Sequence, residues 1–286
     1  YCGFIFLRHH PMGREREILF NAASTGGNGN AGWPYLELVE SYPMIDGRPI
    51  NDSKYEYDQK QPDKNRDTRF QNSIVWNGSK IATGQGNTTT CYTYQGIGST
   101  SDAIYQGTRT GFYLRKMTHR NTCPNSFIDV SQAWGMLRYE EVLLNYAEAA
   151  VEKGDLPTAM RLINEVRHRA GFAPEVDLDP KGDRDLARLM LRKERRTEFV
   201  FEEHRFFDNR RWTANEENIE CEKYTTGMKV TRSGIRYSYE RFLVGSDGSM
   251  PSKLSYEAKW HFLPIPLSEV RTLEEKTGKK WQNYGW

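Results

Sequence analysis

Two amphipathic helical patterns, separated by one Gly-Asp step, limit the folds that this chain can adopt. The first pattern ends at Gly154-Asp155, and its apolar residues at helical spacing are Leu137, Val142, Leu143, Tyr146, Ala147 and Ala150. Pro157 opens the second helix, because a proline is tolerated in the first helical turn. Two such helices predict an antiparallel hairpin of the tetratricopeptide type. A single hairpin cannot bury its apolar faces alone, so we expect further helices beside it.

Further helices are predicted downstream of the hairpin. A third helix is expected over residues 185–207, and a short final helix over residues 267–276. The segment between Trp212 and Phe262 is expected to be rich in loops. The predicted apolar side of the third helix consists of Leu186, Leu189, Met190 and Phe199.

The first 130 residues have a different character. Residues 21–32 (NAASTGGNGNAG) are a dense run of Gly, Asn and small residues, which indicates a loop that ends at Trp33. Ile74-Val75-Trp76 followed by Asn77-Gly78 is typical of a strand that enters a tight turn. We therefore expect a mainly α fold with few short strands. One continuous domain would combine a loop-rich, aromatic-rich ligand-binding part (1–130) with a helical part (131–286).

Composition excludes several classes of protein. Forty Lys and Arg against 38 Asp and Glu give a net charge of +2, which does not favour binding to nucleic acid or to an anionic membrane surface. The longest apolar runs fall far short of the roughly 18 residues that suggest a membrane span. The chain begins at Tyr1 with no signal-peptide pattern, so we expect it to be a piece of a longer protein.

The aromatic residues point to a binding surface. Seven Trp, 16 Tyr and 13 Phe in a chain with 27% charged residues are more than a core requires, and exposed rings suit sugars, peptides or proteins. Asn amides beside such rings could bind sugar hydroxyls, whereas the alternative is that the rings pack against their own loops. Trp33 is the first candidate ligand-binding residue, and the others are Asn28, Asn30, Trp76, Tyr92 and Tyr94.

No catalytic or metal-binding pattern is apparent. The four cysteines and six histidines have no metal-ligand spacing, and whether any disulfide forms is open. Residues 63–67 (DKNRD) begin like a calcium loop, but Thr68 stands at the turn glycine and Ile74 at the closing Glu. The pairs Glu140-Glu141 and Glu202-Glu203 could suggest glycoside hydrolysis, but adjacent helical side chains diverge by about 100°. We predict neither catalysis, cofactor nor metal.

Residues 192–205 mix acidic and basic side chains at helical spacing. Opposite charges at i,i+3, such as Arg195 with Glu198 and Glu202 with Arg205, predict an ion-paired helix with a structural role.

Several segments together resemble one family. The segment 137–149 (LRYEEVLLNYAEA) is similar to the hallmark helix of the SusD/RagB family of outer-membrane nutrient-binding lipoproteins. The other similar segments, in chain order, are 37–42 (ELVESY), 65–70 (NRDTRF), 110–116 (TGFYLRK), 164–171 (NEVRHRAG), 194–199 (ERRTEF), 205–212 (RFFDNRRW), 262–270 (FLPIPLSEV) and 282–286 (QNYGW). The resemblance covers nearly the whole chain, although the ending NYGW departs from the usual Asn-Pro-Gly of the family.

The resemblance implies a SusD-like fold and a non-catalytic role. A glycan ligand would be captured at the extracellular face of the outer membrane and passed to a SusC-like TonB-dependent transporter. The chain would be the C-terminal half of the family fold, so the membrane would be reached only through a lipid anchor outside this chain, and Cys2 has no lipobox context. The alternatives are a peptide-binding member, a protein-interaction scaffold and, less simply, a glycoside hydrolase.

Overall fold

The computed structural model describes residues 3–30, 32–119, 121, 123–126, 133–212, 225–245 and 257–286. The helices in these ranges are α1 (Glu15–Phe20), α2 (Leu36–Ser41), α3 (Thr68–Ser73), α4 (Tyr139–Lys153), α5 (Leu156–Arg169), α6 (Arg184–Glu198), α7 (His204–Trp212) and α8 (Leu267–Thr277). The strands are β1 (Phe4–His9), β2 (Ile74–Val75), β3 (Lys80–Gly84), β4 (Asn87–Thr90), β5 (Gln95–Gly96), β6 (Tyr113–Leu114), β7 (Ala133–Arg138), β8 (Thr226–Ser233) and β9 (Arg236–Leu243). The predicted mainly α class with short strands is confirmed.

The predicted hairpin is formed by α4 and α5. Gly154 adopts φ +85°, the left-handed conformation that ends many helices, and its N–H donates to the carbonyl of Ala150. The Asp155 side chain then caps α5 by accepting the N–H of Thr158. Helix α6 packs against both helices and supplies the neighbour that the hairpin requires.

The buried face of α4 includes three of its predicted residues, Leu143, Ala147 and Ala150, but not the other three. Leu137 belongs to β7, which pairs antiparallel with β1, and the helix begins only at Tyr139. Val142 and Tyr146 are 45% and 55% exposed, so they do not face the hairpin core. The residues of α4 in that core are Leu143, Leu144, Ala147, Ala150 and Val151.

The predicted third helix is two helices. Helix α6 ends at Glu198, and α7 begins at His204 after a turn in which Phe201 and Glu203 take φ values of +60° and +67°. Of the four residues on the predicted apolar side, Leu186 and Leu189 are exposed, whereas Met190 and Phe199 pack in the hairpin core. The buried positions are Ala187, Leu191, Glu194, Arg195, Thr197 and Glu198.

Carboxylates can be buried on α6 because cations from other segments surround them. Ion pairs join five acidic and five basic side chains, which we call the ion-pair network: Asp67, Glu140, Glu194, Glu198, Glu202, Arg69, Lys116, Arg138, Arg167 and Arg169. The structural role predicted for the charged run is present, but the partners come from tertiary contacts. Arg195 pairs with Asp208 at 2.9 Å, for example.

The segment predicted to be loop-rich contains a β-hairpin. Strands β8 and β9 pair antiparallel from Thr226 opposite Leu243 to Ser233 opposite Arg236. The prediction was wrong here because Tyr237 and Tyr239 alternate with polar residues, which is a strand pattern. Strand β5 joins β8 on its other side, in parallel.

The described part of the chain has a second core in the loop-rich region, built around α2, α3 and β8. Strand β1 and strand β7 link the two predicted parts of the domain, and the predicted boundary at residues 130 and 131 lies outside the described residues. Cys91 and Cys123 are free buried thiols, whereas Cys2 and Cys221 lie outside the described residues. None of the helices in the described ranges is long and apolar enough to cross a membrane.

Candidate ligand-binding surface

Three tyrosines form a continuous aromatic cluster on the loop-rich side. The ring centroids of Tyr92 and Tyr94 lie 5.5 Å apart, and those of Tyr94 and Tyr237 also lie 5.5 Å apart. Tyr94 is buried, with 6% exposure, whereas Tyr92 is 40% exposed. An exposed ring that is supported from behind by other rings has a fixed orientation, and its free face can stack on a ligand. We call Tyr92, Tyr94 and Tyr237 the tyrosine platform.

The platform is positioned by pairing between strands. Gln95 and Gly96 pair with Thr231 and Arg232 of β8, which brings the segment after Tyr94 against the hairpin. Gly96 takes φ +92°, and a Cβ at this position would lie 2.5 Å from the carbonyl oxygen of Arg232. Only glycine permits this close approach without strain.

Arg232 lies beside the tyrosine platform and is held by it. Its Nη1 donates to the hydroxyl of Tyr94 at 2.9 Å, and its Nε donates to the carbonyl of Gly234 at 2.9 Å. The guanidinium carbon lies 5.3 Å from the ring centroid of Tyr94 and 6.0 Å from that of Tyr237. The hydrogen bond that Arg232 donates to the Tyr94 hydroxyl raises the pKa of Arg232. The platform therefore carries a permanent positive charge and several donors at its edge.

Trp76 supports the same region from the core. Its ring packs against Phe70 with centroids 5.2 Å apart, and it contacts the cluster that contains Tyr94. The neighbouring amide of Asn77 accepts the N–H of Thr93 at 3.0 Å and donates to the hydroxyl of Tyr239 at 3.3 Å. The space beside Trp76 is a gap of about 10 Å³, which is too small for a sugar ring.

Trp33, Asn28 and Asn30 belong to another part of the loop-rich region. The Trp33 ring is half-buried against a separate core cluster that includes Tyr113, and its Nε1 is buried without a hydrogen-bond partner among the described residues. Asn28 and Asn30 are exposed, and the Asn28 side chain accepts the backbone N–H of Asn30 at 3.0 Å. The structure thus brings Tyr92, Tyr94 and Trp76 to one cluster and Trp33 to another.

Sequence reasoning missed Tyr237 and Arg232. The signal for Tyr237 was the alternation Tyr237-Ser238-Tyr239, which places two tyrosines on one face of a strand. Arg232 is directly opposite Tyr237 in the hairpin register. Tyr94 and Tyr237 are far apart in the sequence, and no local pattern indicates that they meet.

The carboxylates considered for glycoside hydrolysis are ion-pair partners. Arg138 Nη1 contacts Glu140 at 3.0 Å, and Arg138 Nε contacts Glu202 at 2.7 Å. Glu140 also lies 3.1 Å from Arg169. These contacts give Glu140 and Glu202, one carboxylate of each pair, a structural role.

Comparisons with known proteins agree with this fold. The sequence model of the SusD family matches residues 9–286. A SusD-like protein from Bacteroides fragilis is 25% identical and superposes with a TM-score of 0.77 over 99% of this chain and 54% of its own. A SusD-like carbohydrate binding protein from the same organism is 28% identical, with a TM-score of 0.60 over 78% of this chain and 44% of its own. The chain therefore spans about half the length of these structures. No curated protein matches it.

Proposed function

The chain belongs to the SusD family, and we propose that it binds glycans without chemically changing them, using the tyrosine platform. Family membership and the similarity to a SusD-like carbohydrate binding protein support a glycan as the ligand. Delivery of the glycan to a SusC-like TonB-dependent transporter is part of this proposal. So is a position on the extracellular face of the outer membrane, held by a lipid anchor.

The observation that carries the proposal is the exposed ring of Tyr92 packed at a tilt of 53° against buried Tyr94, with Arg232 at the edge. Sugar rings have apolar C–H faces that stack on aromatic rings, and their hydroxyls accept hydrogen bonds from a guanidinium. Because Arg232 is held by Tyr94 and Gly234, little conformational entropy is lost when a sugar binds. Ile97 and Ile235 lie exposed near the platform and extend its apolar surface.

Affinity electrophoresis against a panel of neutral and acidic polysaccharides and peptides tests the proposal. We expect at least one glycan to retard the protein, and Tyr92→Ala to weaken that binding about tenfold, which corresponds to about 1.4 kcal/mol. Tyr284→Ala is the matched control, because Tyr284 is a 93% exposed tyrosine outside the platform. Trp33→Ala and Trp76→Ala test the residues first predicted from the sequence.

Other outcomes would change the proposal in distinct ways. Retardation that Tyr92→Ala leaves intact but Trp33→Ala abolishes would keep glycan binding and move the site to the loop around Asn28 and Asn30. Retardation by peptides alone would replace the ligand class. Absence of any binding by a folded protein would favour a scaffold role, and shortened sugars in the gel would identify an enzyme.

A further inference from the structure

A cleft of about 600 Å³ lies between the ion-pair network and the strands of the loop-rich region. Basic side chains outnumber acidic ones in its lining. Among the described residues that line it, the cations are Arg69, Lys80, Arg115, Lys116, Arg138 and Arg169, with His119 beside them, whereas Glu198 is the acidic side chain. A cavity of this size can hold one or two sugar units.

Most of these cations are paired with carboxylates of the ion-pair network. Arg69, Arg138, Arg169 and Lys116 belong to the ion-pair network, in which five basic and five acidic side chains balance. They therefore contribute donors to the cleft but little net charge.

Arg115 is different. The described part of the chain contains no carboxylate paired with it, and its Nε is buried without a hydrogen-bond partner. Its Nη2 donates to the carbonyl of Lys80 at 2.6 Å, and its guanidinium carbon lies 6.0 Å from the ring centroid of Trp76. Burial lowers the pKa of Arg115, which reflects the cost of holding an uncompensated charge at this position.

Lys80 adds a second uncompensated cation to the same wall. Its ammonium donates to the hydroxyl of Thr90 at 2.8 Å, which is a neutral partner. Glu17 accepts the backbone N–H of His119, a residue of the cleft lining, at 3.2 Å, and burial raises the pKa of Glu17. The wall formed by Lys80 and Arg115 is therefore positively charged.

We propose that this cleft binds the negatively charged group, carboxylate or sulfate, of an acidic glycan, with Arg115 as its main donor and Lys80 as a second cation. This inference rests on the proposed glycan-binding function and adds the charge of the ligand to it. An anion in the cleft would supply the counter-charge that Arg115 lacks, and charge-assisted hydrogen bonds of a guanidinium to an oxyanion are among the strongest in proteins.

The test compares polymers that share a backbone but differ in charge. Polygalacturonate is measured against its fully methyl-esterified form, and dextran sulfate against dextran, by isothermal titration calorimetry at two salt concentrations. We expect one charged polymer of a pair to bind at least tenfold more tightly than its neutral partner, and high salt to reduce that difference. The pair that shows the difference identifies carboxylate or sulfate.

Variants connect the preference to the cleft. Arg115→Gln is expected to weaken binding of the charged polymer about tenfold or more, and Lys80→Gln, at an exposed position where folding is not at risk, about threefold. Arg271→Gln is the matched control, because it removes one exposed arginine of α8 outside the cleft. Circular dichroism checks that each variant is folded.

Specific results would overturn the inference. Equal affinity for charged and neutral polymers, with binding still lost in Tyr92→Ala, would leave the proposed function intact and refute the charge preference. An equal loss in Arg271→Gln and Lys80→Gln would show that only net charge matters. Failure of both charged polymers to bind would refute the anion site, whereas glycan binding itself is tested separately by the full polysaccharide panel.

Discussion

The helical and loop-rich parts of this protein each bury a carboxylate, but the pKa is lowered in one part and raised in the other. Glu198 on α6 is 3% exposed, and Glu17 on α1 is 2% exposed. Burial raises the pKa of both, but Arg69 and the other cations around Glu198 lower its pKa to about 2. Glu17 has only the amide of Asn21, the N–H of His119 and weaker charge effects to offset burial, so its pKa stays raised.

This difference explains why one part is easier to recognise than the other. Most charges of the ion-pair network have partners in distant segments, including Arg69 and Lys116 of the loop-rich part. The network therefore constrains many residue types at once and produces motifs such as ERRTEF on α6 and NRDTRF at α3. In the loop-rich part, backbone pairing and glycine conformations hold the chain, and surface side chains such as Tyr92 are less constrained by the fold. We infer that ligand specificity resides where the fold constrains side chains least.

The largest predicted effect is the loss of Glu198. Glu198→Gln would remove a buried counter-charge that Arg69, Arg138 and Arg169 share, and we expect it to lower the free energy of unfolding by about 3–5 kcal/mol in urea titrations. Glu152→Gln is the matched control, because Glu152 pairs with Arg188 on the surface, where a salt bridge contributes about 1 kcal/mol or less. Equal effects of the two variants would contradict our account of the network.

Acid should lower the free energy of unfolding by protonating Glu198. The pKa of Glu198 is about 2 in the folded state against 4.5 ordinarily, so its contribution is present above pH 4.5 and is lost as the pH falls toward 2. The expected loss is on the order of 3 kcal/mol. Unfolding free energies of the wild type and Glu198→Gln, measured between pH 2 and pH 6, should converge at the acidic end; parallel curves would refute the assignment.

A smaller effect is predicted at the tyrosine platform. Gly96→Ala combines a positive φ with a Cβ 2.5 Å from a carbonyl oxygen of β8, and we expect it to cost about 1–3 kcal/mol and to reduce glycan binding. Gly78→Ala provides the comparison, since Gly78 also has a positive φ, of +95°, but open space around it. If both variants bind glycan and unfold alike, the close approach at Gly96 has no special role.

The smallest effect is predicted for Glu17. Because its folded pKa is raised, its contribution is most favourable below pH 4.5 and declines as the pH rises through the folded value. Glu17→Gln should therefore change the stability at pH 7 by less than about 1 kcal/mol in either direction, in contrast to Glu198→Gln. A large destabilisation, seen as a drop in Tm of many degrees, would mean that Glu17 is paired as strongly as Glu198.

Secondary-structure elements with local sequence signals could be predicted from the sequence. The helical hairpin follows from apolar periodicity together with Gly154 and Pro157, and the final helix and the family motifs are equally visible in the sequence. These signals work because a helix turn or a cap depends on residues within about four positions. Tyr92 and Tyr94 could be singled out as candidates for the same reason, since they share one short segment.

Which side chains are buried, and which of them contact each other, depends on the tertiary structure. Leu186 and Leu189 are exposed while Glu194 and Glu198 are buried, because cations from α3, β7 and α5 compensate the charge of the two carboxylates. The pairing of β5 with β8, and of β8 with β9, brings Arg232 and Tyr237 beside Tyr94. Such contacts join residues that are between 29 and 143 positions apart, and their energy depends on the folded environment, which no local pattern encodes.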